Sequence, residues 1–423
     1  MSQPITTTDG GPGRRPRSAT SYPPYDTAAE NDAVYARHVS ASHVALLPPQ
    51  MNIHLGERAG ARVQDAYSGV WYWDCWRQGS KFNLGHRHPA VVAACLEAVD
   101  HVDAGNWALA SGYRARLAEK LAASTHHALS GVTFGVGGAD AIEIAVHAAR
   151  AHTRRTKLVS IAQNSYHGGT DLCLSLSGIS AHHRDRYLVA DADVTRVPFN
   201  DLDAMRRSVT RETAAVVIEP TPAQAGYPVP APGYLEGVRR ICDEQGTVMI
   251  VDETQTGLGS CGGGVVWQYQ QHDLVPDILT TGKGLGGGLY PISAAVMAEP
   301  IWASYTRDQL VPHESTYAGT DIGCIIASAV LDLTMDAGFL ERVDRVAQRF
   351  TDGFADAPFE FSQIGTNMGL RTQTPLATAV RLLDAGVLVI PSGSDLVVPF
   401  RPVLTLSDEE ADAIVALVRD ALG

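Results

Sequence analysis

The sequence has no long hydrophobic run. No apolar stretch in its 423 residues approaches the ~20 residues needed to cross a bilayer, so we expect no membrane insertion. Basic residues are in the minority: 33 Lys and Arg stand against 46 Asp and Glu, and the net charge of −13 argues against a nucleic-acid partner. With 45% hydrophobic and 19% charged residues, the composition is that of a soluble globular protein.

The sequence also lacks cysteine and histidine pairs with metal-binding spacing. Its six cysteines include no Cys-x-x-Cys pair, which argues against a structural zinc site and against a dense disulfide framework. The pairs His126-His127 and His182-His183 lack helical metal-ligand spacing, and we interpret them as surface residues. We therefore predict no metal site and a reducing, cytoplasmic location.

The length favours two domains with a large core. Residues 1–30 are rich in Thr, Pro, Gly, Ser and Arg without the apolar segment of a secretion signal, which predicts a flexible tail. We predict a large domain over 76–325 and a smaller one built from 31–75 and 326–423.

Short β-branched runs alternate with segments of helical periodicity from about Gly131 onward. This alternation predicts an α/β fold with a mainly parallel sheet flanked by helices on both faces. The runs are 131–134, 157–161, 214–218 and 247–251. Ligands gather at the carboxyl ends of such strands, where Glu219, Asp252 and the Lys283 loop fall.

The two ends of the chain predict an α+β small domain. A β-hairpin is indicated over 61–73, where apolar residues alternate around a Ser-Gly turn. Residues 326–350 are helical in pattern, and a short strand is expected near Val397-Val398. A last helix over 407–422 begins with Ser407 and Glu410 in a capping box.

Lys283 lies between two glycines, directly after the β-like stretch 276–281. Flanking glycines allow close approach to a ligand, and a partly desolvated amine becomes nucleophilic, which suits a Schiff base. A Walker A loop is excluded because Asp277 and Gly284 occupy positions where that motif has Gly and Ser or Thr. For Lys283 taken alone, a surface lysine is the better interpretation.

Three further patterns change that judgement. Residues 135–143 join a strand to a helix through small residues whose N–H groups suit a phosphate, although Asp140 breaks the dinucleotide fingerprint. Asp252 ends a buried strand and needs a cationic partner, such as a pyridinium nitrogen. The loop containing Tyr166 and His167 suits stacking on a flat ring. Taken alone, the first pattern is better interpreted as a tight turn, and the other two are equally well a cap or a turn. Together with Lys283, the three patterns are what a pyridoxal phosphate site requires.

On these residues the chain resembles the class III, or ω-, aminotransferases of the fold type I pyridoxal phosphate enzymes. The resemblance runs from about Gly69 to the C-terminus and implies transfer of an amino group between an amine or amino acid and a carbonyl acceptor. It rests on 83–89 (Asn-Leu-Gly-His-Arg-His-Pro), 217–220 (Val-Ile-Glu-Pro), 251–259 (Val-Asp-Glu-Thr-Gln-Thr-Gly-Leu-Gly), 276–277 (Pro-Asp) and 282–284 (Gly-Lys-Gly).

The resemblance implies a role for each residue of the cofactor site. Lys283 forms the Schiff base, Asp252 pairs with the pyridine nitrogen, and Gln255 contacts the phenolic oxygen. Tyr166 stacks on the ring, and Glu219 is a supporting acid near Asp252.

The resemblance also implies how the phosphate is held. Backbone N–H groups of Gly138 and Ala139 bind it, and Thr316 reaches the phosphate of a partner subunit. A homodimer with shared active sites is therefore expected.

Several residues depart from the family pattern. Ala139 lacks the hydroxyl that often helps to hold phosphate, Thr254 replaces the usual Val or Ile that packs on the ring, and Ser260-Cys261 replaces the common Arg-Thr. Gln224 stands where relatives that use glutamate carry a gating glutamate, and Pro399 aligns with their substrate arginine, with Arg401 nearby.

Candidate substrate residues are cationic or aromatic. Trp73, Arg77 and Lys81 precede the Gly-His signature in a region that lines the substrate pocket of relatives, and with Arg401 they could bind an acid group. Arg77 and Lys81 are equally well surface charges.

Two alternatives to transamination remain at this stage. The same cofactor supports racemisation, elimination or other chemistry at the α- or β-carbon. Least favoured is a non-catalytic binding protein that keeps the fold.

Overall fold

A computed structural model of the protein describes residues 22–105, 109–190, 192–391 and 396–423. The described chain forms two compact units, one of residues 22–58 with Arg62–Tyr72, the other of Ala59–Ala61 with Trp73–Gly423. Residues 1–21 of the predicted tail lie outside the described residues, and from Ala28 its last residues belong to a helix. The division predicted near residues 75 and 325 stays a prediction.

The first unit contains two short helices and a hairpin. Thr27 caps the first helix by accepting the Glu30 N–H at 3.1 Å. Asp65 Oδ1 accepts the N–H groups of Tyr67 and Ser68, which fixes the turn and confirms the predicted hairpin. The elements are α1 (Ala28–His38), α2 (Ala41–Leu46), β1 (Leu55–Ala59), β2 (Arg62–Asp65) and β3 (Trp71–Asp74), whose last two residues belong to the second unit.

A seven-stranded sheet forms the centre of the second unit. Its spatial order is β4-β10-β9-β8-β7-β5-β6, and β10 alone runs antiparallel to its neighbours, so the predicted mainly parallel sheet is confirmed. The strands are β4 (Gly131–Gly135), β5 (Lys157–Ile161), β6 (Val194–Val197), β7 (Thr213–Ile218), β8 (Val248–Asp252), β9 (Ile278–Thr281) and β10 (Ser293–Met297).

Helices cover both faces of this sheet. Successive residues of a strand point to opposite faces, so Val216 and Ile218 pack in one core cluster while Ala215 and Val217 pack in another. Because both faces of the sheet are buried, its strands are unbroken runs of apolar residues. The helices of this region are α4 (Pro89–His101), α5 (Gly112–Ser124), α6 (Gly138–Thr153), α7 (Asp171–Leu176), α8 (Ala181–Tyr187), α9 (Leu202–Ser208), α10 (Tyr234–Gln245) and α11 (Glu299–Thr306).

The region predicted as helical over 326–350 contains two helices, α12 (Asp321–Thr334) and α13 (Ala337–Phe354). The break falls at Asp336, whose side chain accepts the Phe339 N–H and starts α13.

The C-terminal segment adds a second sheet and two helices. Strands β11 (Phe361–Ile364), β12 (Asn367–Arg371) and β14 (Val397–Phe400) form an antiparallel sheet. Helix α14 (Pro375–Asp384) precedes β13 (Val387–Leu388), which pairs in parallel with Trp73 and Asp74. The predicted capping box is confirmed at α15 (Asp408–Leu422), where Ser407 and Glu410 exchange hydrogen bonds.

Within the described ranges, no single helix is long and apolar enough to cross a membrane. The one pair of helices that is long and apolar enough when taken together, α12 with α13, is bent by 67°. All six cysteines are free thiols.

Candidate active site

Lys283 starts a 3₁₀ turn, Lys283–Gly286, at the carboxyl end of β9. Its φ of 45° lies in the left-handed region, which costs a non-glycine residue about 1–3 kcal/mol. The side chain is only partly shielded from solvent, yet the surrounding protein desolvates the amine and lowers its pKa to about 8. Asp252 and Glu219 oppose this shift without reversing it. The turn therefore presents an amine that loses its proton more readily than an ordinary lysine.

Asp252 ends β8 opposite Thr280, one strand away from the Lys283 turn. Its Oδ2 accepts a hydrogen bond from His167 Nδ1 at 2.8 Å, and its Oδ1 accepts the Thr254 hydroxyl at 2.8 Å. Burial by itself raises the pKa of Asp252, but His167, Lys283 and Thr254 together lower it below its usual value. A buried carboxylate is thus kept ionised.

The side chain of His167 contacts Asp252, and the sequence analysis gave this residue no separate role. It is 3% exposed, and its Nε2 has no hydrogen-bond partner in the described part of the chain. Burial lowers the pKa of His167, but the hydrogen bond and charge of Asp252 and the charge of Glu219 outweigh it and raise the pKa overall. The only signal in the sequence was an imidazole beside two glycines.

Glu219 connects two loops at the carboxyl end of β7. Its carboxylate accepts the N–H of Tyr166 at 3.0 Å and the N–H of Ala223 at 3.3 Å. Burial, with the nearby charge of Asp252, raises the pKa of Glu219 to about 7 despite the opposing charges of His167 and Lys283. Glu219 therefore fixes the loop of Tyr166 and the loop after β7 in one arrangement.

The start of α6 lies against the Lys283 turn. Gly137 caps this helix without a side-chain hydrogen bond, so the first-turn N–H groups have no side-chain acceptor at the cap. A Cβ on Gly282 would come within 3.5 Å of the Gly138 nitrogen, and a Cβ on Gly168 within 2.6 Å of Ala139 Cβ. This close packing leaves Gly138 and Ala139 at an uncapped helix start next to Lys283, where an anion is favoured.

Gln255 and Tyr166 are neighbours in sequence of the contact between Asp252 and His167: Gln255 follows Asp252 by three residues, and Tyr166 directly precedes His167. Gln255 is buried and its Oε1 has no hydrogen-bond partner among the described residues. Tyr166 is half-buried, and burial raises the pKa of its hydroxyl. Thr316 lies on an exposed turn between α11 and α12.

The predicted substrate residues differ in their surroundings. Arg77 and Arg401 are fully buried, 0% and 1% exposed, so the surface interpretation of Arg77 is wrong. Lys81 is exposed, as that interpretation expected, and its charge still lowers the pKa of Lys283. Trp73 is half-buried on β3.

These features fit pyridoxal phosphate. The group has a phosphate, a ring nitrogen that gains a proton and an aldehyde, and the site offers an uncapped helix start, an ionised buried carboxylate and a lysine of lowered pKa. The buried Gln255 Oε1 and His167 Nε2, both without partners in the described ranges, mark the space between these groups as polar. Fold and site together define a fold type I pyridoxal phosphate enzyme.

The chain belongs to the class-III aminotransferase family, whose pattern matches residues 47–422. It is 37% identical over 365 residues to an uncharacterized aminotransferase of Archaeoglobus fulgidus, covering 82% of this chain and 84% of that one. It is 32% identical over 403 residues to the acetylornithine aminotransferase of Methanosarcina mazei, covering 94% and 96%. The protein is therefore a pyridoxal phosphate-dependent aminotransferase, as the resemblance implied.

Solved structures show the same fold. The ornithine aminotransferase of Toxoplasma gondii matches with a TM-score of 0.85 at 24% identity, over 94% of this chain and 95% of that chain. The taurine:2-oxoglutarate aminotransferase of Bifidobacterium kashiwanohense matches with a TM-score of 0.83 at 22% identity, over 94% and 97%.

Proposed function

We propose that Lys283 is the residue that binds the cofactor's aldehyde carbon and then moves the proton at the substrate's α-carbon. The observation that carries this proposal is the partly shielded amine, with its pKa lowered to about 8, next to an ionised carboxylate at the adjoining strand end. When bound, pyridoxal phosphate supplies an electron sink for the bonds at that carbon. A lysine with a pKa near the working pH both accepts and returns a proton.

Asp252 holds a positive charge at the far end of the ring in this proposal. Its Oδ1 is occupied by Thr254 and Thr280, so Oδ2 is the oxygen left for a protonated ring nitrogen, and it shares that position with His167. His167 orients the carboxylate and keeps it ionised. Gln255, three residues after Asp252, would contact the phenolic oxygen, and Tyr166 would lie against the ring.

The start of α6 would hold the phosphate, through the N–H groups of Gly138 and Ala139. Because Ala139 has no hydroxyl, backbone donors and the helix dipole carry this contact. The exposed Thr316 suits contact with the phosphate of a partner subunit. We therefore propose a cytoplasmic homodimer with shared active sites.

The substrates proposed are an amino acid or amine as donor and a carbonyl compound as acceptor, with Arg401 holding a substrate acid group. Relatives named acetylornithine and ornithine aminotransferase support an amino-acid donor. Arg401 supports it further because its charge is felt at Lys283 and lowers the pKa of that lysine.

The test is a single turnover with cofactor and donor. The purified protein is loaded with pyridoxal phosphate and incubated with a panel of amino acids and ω-amines, while the visible absorption band and the products are followed. We expect the band to be replaced by that of the pyridoxamine form, with one carbonyl product per site. Release of ammonia or epimerised donor without that conversion would contradict transfer and support the alternative chemistry at the α- or β-carbon.

A further inference from the structure

Arg77 lies in a turn whose backbone conformation is rare for residues other than glycine. The turn α3 (Arg77–Ser80) has φ values of 49°, 48°, 73° and 69°, so four consecutive residues are left-handed and only Gly79 is a glycine. Such a conformation is strained and persists only where surrounding structure enforces it. Here it places a guanidinium in the interior, fully buried.

Neutral groups hold this guanidinium. Nη1 of Arg77 donates to Asn83 Oδ1 at 3.1 Å, and Nη2 donates to Asn367 Oδ1. The amide nitrogen of Asn367 donates to Ser260, which forces its oxygen toward Arg77. Nε of Arg77 is buried without a partner in the described ranges. Its position is fixed, but its charge is not neutralised by contact.

Arg401 lies close to Arg77 and is held in the same way. Its backbone N–H donates to the Cys75 carbonyl at 2.6 Å, two residues before Arg77. Its side chain donates to the Tyr227 hydroxyl and to the Ala223 carbonyl at 3.4 Å. The guanidinium carbon of Arg401 lies 5.3 Å from the centre of the Tyr227 ring, and the charges of both arginines oppose the rise that burial causes in the pKa of Tyr227.

In the part of the chain that the structure describes, neither arginine is in an ion pair with a carboxylate. Asp74 acts on Arg77 only through its field, because its Oδ2 is taken by His86 and its Oδ1 by the Trp76 N–H. Gln224, at the expected position of a gating glutamate, is uncharged. Two buried guanidiniums without a counter-charge are costly, and a bound anion removes that cost.

The pair lies next to the reacting amine. A Cβ on Gly284 would come within 2.8 Å of Asn83 Nδ2, so one side chain separates Arg77 from the Lys283 turn. Ala223 links Arg401 to Glu219. Its carbonyl accepts a hydrogen bond from Arg401, and its N–H donates to Glu219, whose charge acts on Lys283. An acid group bound by both arginines is therefore on the molecule whose amine or carbonyl reaches Lys283.

We propose that Arg77 and Arg401 form one site for two negative charges on the substrate, and that Arg77 determines this specificity. The two charges are either the carboxylates of a dicarboxylate or a single phosphonate or phosphate group. The inference rests on the proposed function of Lys283, and it goes beyond that function by joining Arg77 to Arg401 in one site.

The test measures donor preference in the full-length holoenzyme. The rate of loss of the visible cofactor band is recorded with L-glutamate and L-2-aminoadipate, with 2-aminoethylphosphonate, with β-alanine and with n-butylamine. We expect kcat/KM to fall from donors with two negative charges to one to none. A preference for glutamate and aminoadipate identifies a dicarboxylate, and a preference for the phosphonate identifies a single dianionic group.

Two variants assign the preference to Arg77. Arg77→Gln removes its charge, and Asn367→Asp neutralises it through a carboxylate at the position of the present amide. Each is expected to lower kcat/KM for two-charge donors by about 10- to 100-fold and to leave n-butylamine within about threefold, because a charged hydrogen bond is lost only with the anionic donors. Arg211→Gln removes a positive charge from an exposed residue and should change neither rate.

Different results would overturn the inference about Arg77 and the proposed function of Lys283. An intact visible band with equal slowing of all donors in Arg77→Gln would make Arg77 purely structural. A wild-type enzyme that uses n-butylamine as well as any two-charge donor would also overturn the inference. Absence of a visible band in the wild-type protein with added cofactor would instead contradict the proposed role of Lys283.

Discussion

The two ends of the candidate site treat buried charge in opposite ways. At one end, the Asp252 carboxylate has His167 in contact and Lys283 nearby, so its charge is compensated within the protein. At the other end, Arg77 and Arg401 are bound by amides, a phenol and a carbonyl, all neutral. A compensated charge suits a resident cofactor, whereas an uncompensated one suits a ligand that arrives with its own charge and leaves again.

The two ends also differ in how their hydrogen-bond partners act on the buried charge. Around Asp252, each hydrogen bond lowers the pKa of one carboxylate, so losing one donor leaves others in place. Around Arg77, the amide oxygen of Asn367 orients the guanidinium without adding a negative charge.

Loss of Lys283 should have the largest effect, since it removes the reacting group itself. Lys283→Ala is expected to abolish the lysine-bound cofactor band and to lower turnover by at least about 10³-fold. Lys157→Ala is the matched control, because Lys157 is a surface lysine paired with Glu212. The measurements are the position of the visible cofactor band and kcat in both variants. Turnover preserved in Lys283→Ala would exclude the proposed mechanism.

The compensated end should be next in sensitivity. Asp252→Asn removes the charge that holds a protonated ring nitrogen, and we expect kcat to fall by about 10²- to 10³-fold. His167→Phe keeps the Asp252 carboxylate but removes its hydrogen-bond donor, with an expected loss of about tenfold. The measurement is kcat with one donor, alongside cofactor affinity. A larger loss for His167→Phe than for Asp252→Asn would reverse the roles assigned here.

Much of the cofactor end could be predicted from the sequence. Lys283, Asp252 and Glu219 follow strands directly, so strand recognition alone brings them to one edge of the sheet. The contact between His167 and Asp252 could not be foreseen, because it joins residues 85 positions apart through a loop with no regular periodicity.

The arginine end was the least predictable part. Arg77 is followed by Gln, Gly and Ser, which reads as an ordinary polar turn, and its burial depends on a left-handed backbone that propensities disfavour. Asn367 and Tyr227 gave no signal, because a neutral amide or phenol has a role here only after folding brings it to an arginine. Similarly, the single cap at Asp336 divided a helical pattern into two helices.

Glu219→Gln should move the pH dependence of cofactor capture. The pKa of Lys283 is lowered to about 8, and Glu219 opposes that shift by favouring the protonated amine. Only the neutral amine attacks an aldehyde, so the capture rate of the apoenzyme should rise with a midpoint near pH 8 and level off about one pH unit higher. Removing the negative charge of Glu219 favours the neutral amine and moves this midpoint to lower pH.

Stopped-flow absorbance at a series of pH values measures that midpoint. The control is Glu212→Gln, because Glu212 is an exposed carboxylate on the same subunit, paired with Lys157. An unchanged midpoint in Glu219→Gln, or one displaced to higher pH, would contradict the electrostatic role of Glu219.

Thr254→Val should have the smallest effect. It restores the residue common in the family and removes one hydroxyl that donates to Asp252 Oδ1 at 2.8 Å, while the Thr280 hydroxyl and His167 continue to donate. Loss of one such bond is worth about 1 kcal/mol, so kcat should fall by no more than about tenfold. Thr254→Ser keeps the hydroxyl and should retain wild-type kcat. If Thr254→Ser loses more activity than Thr254→Val, the methyl group of Thr254 matters more than its hydroxyl; a Cβ on Gly138 would lie 3.2 Å from that methyl group.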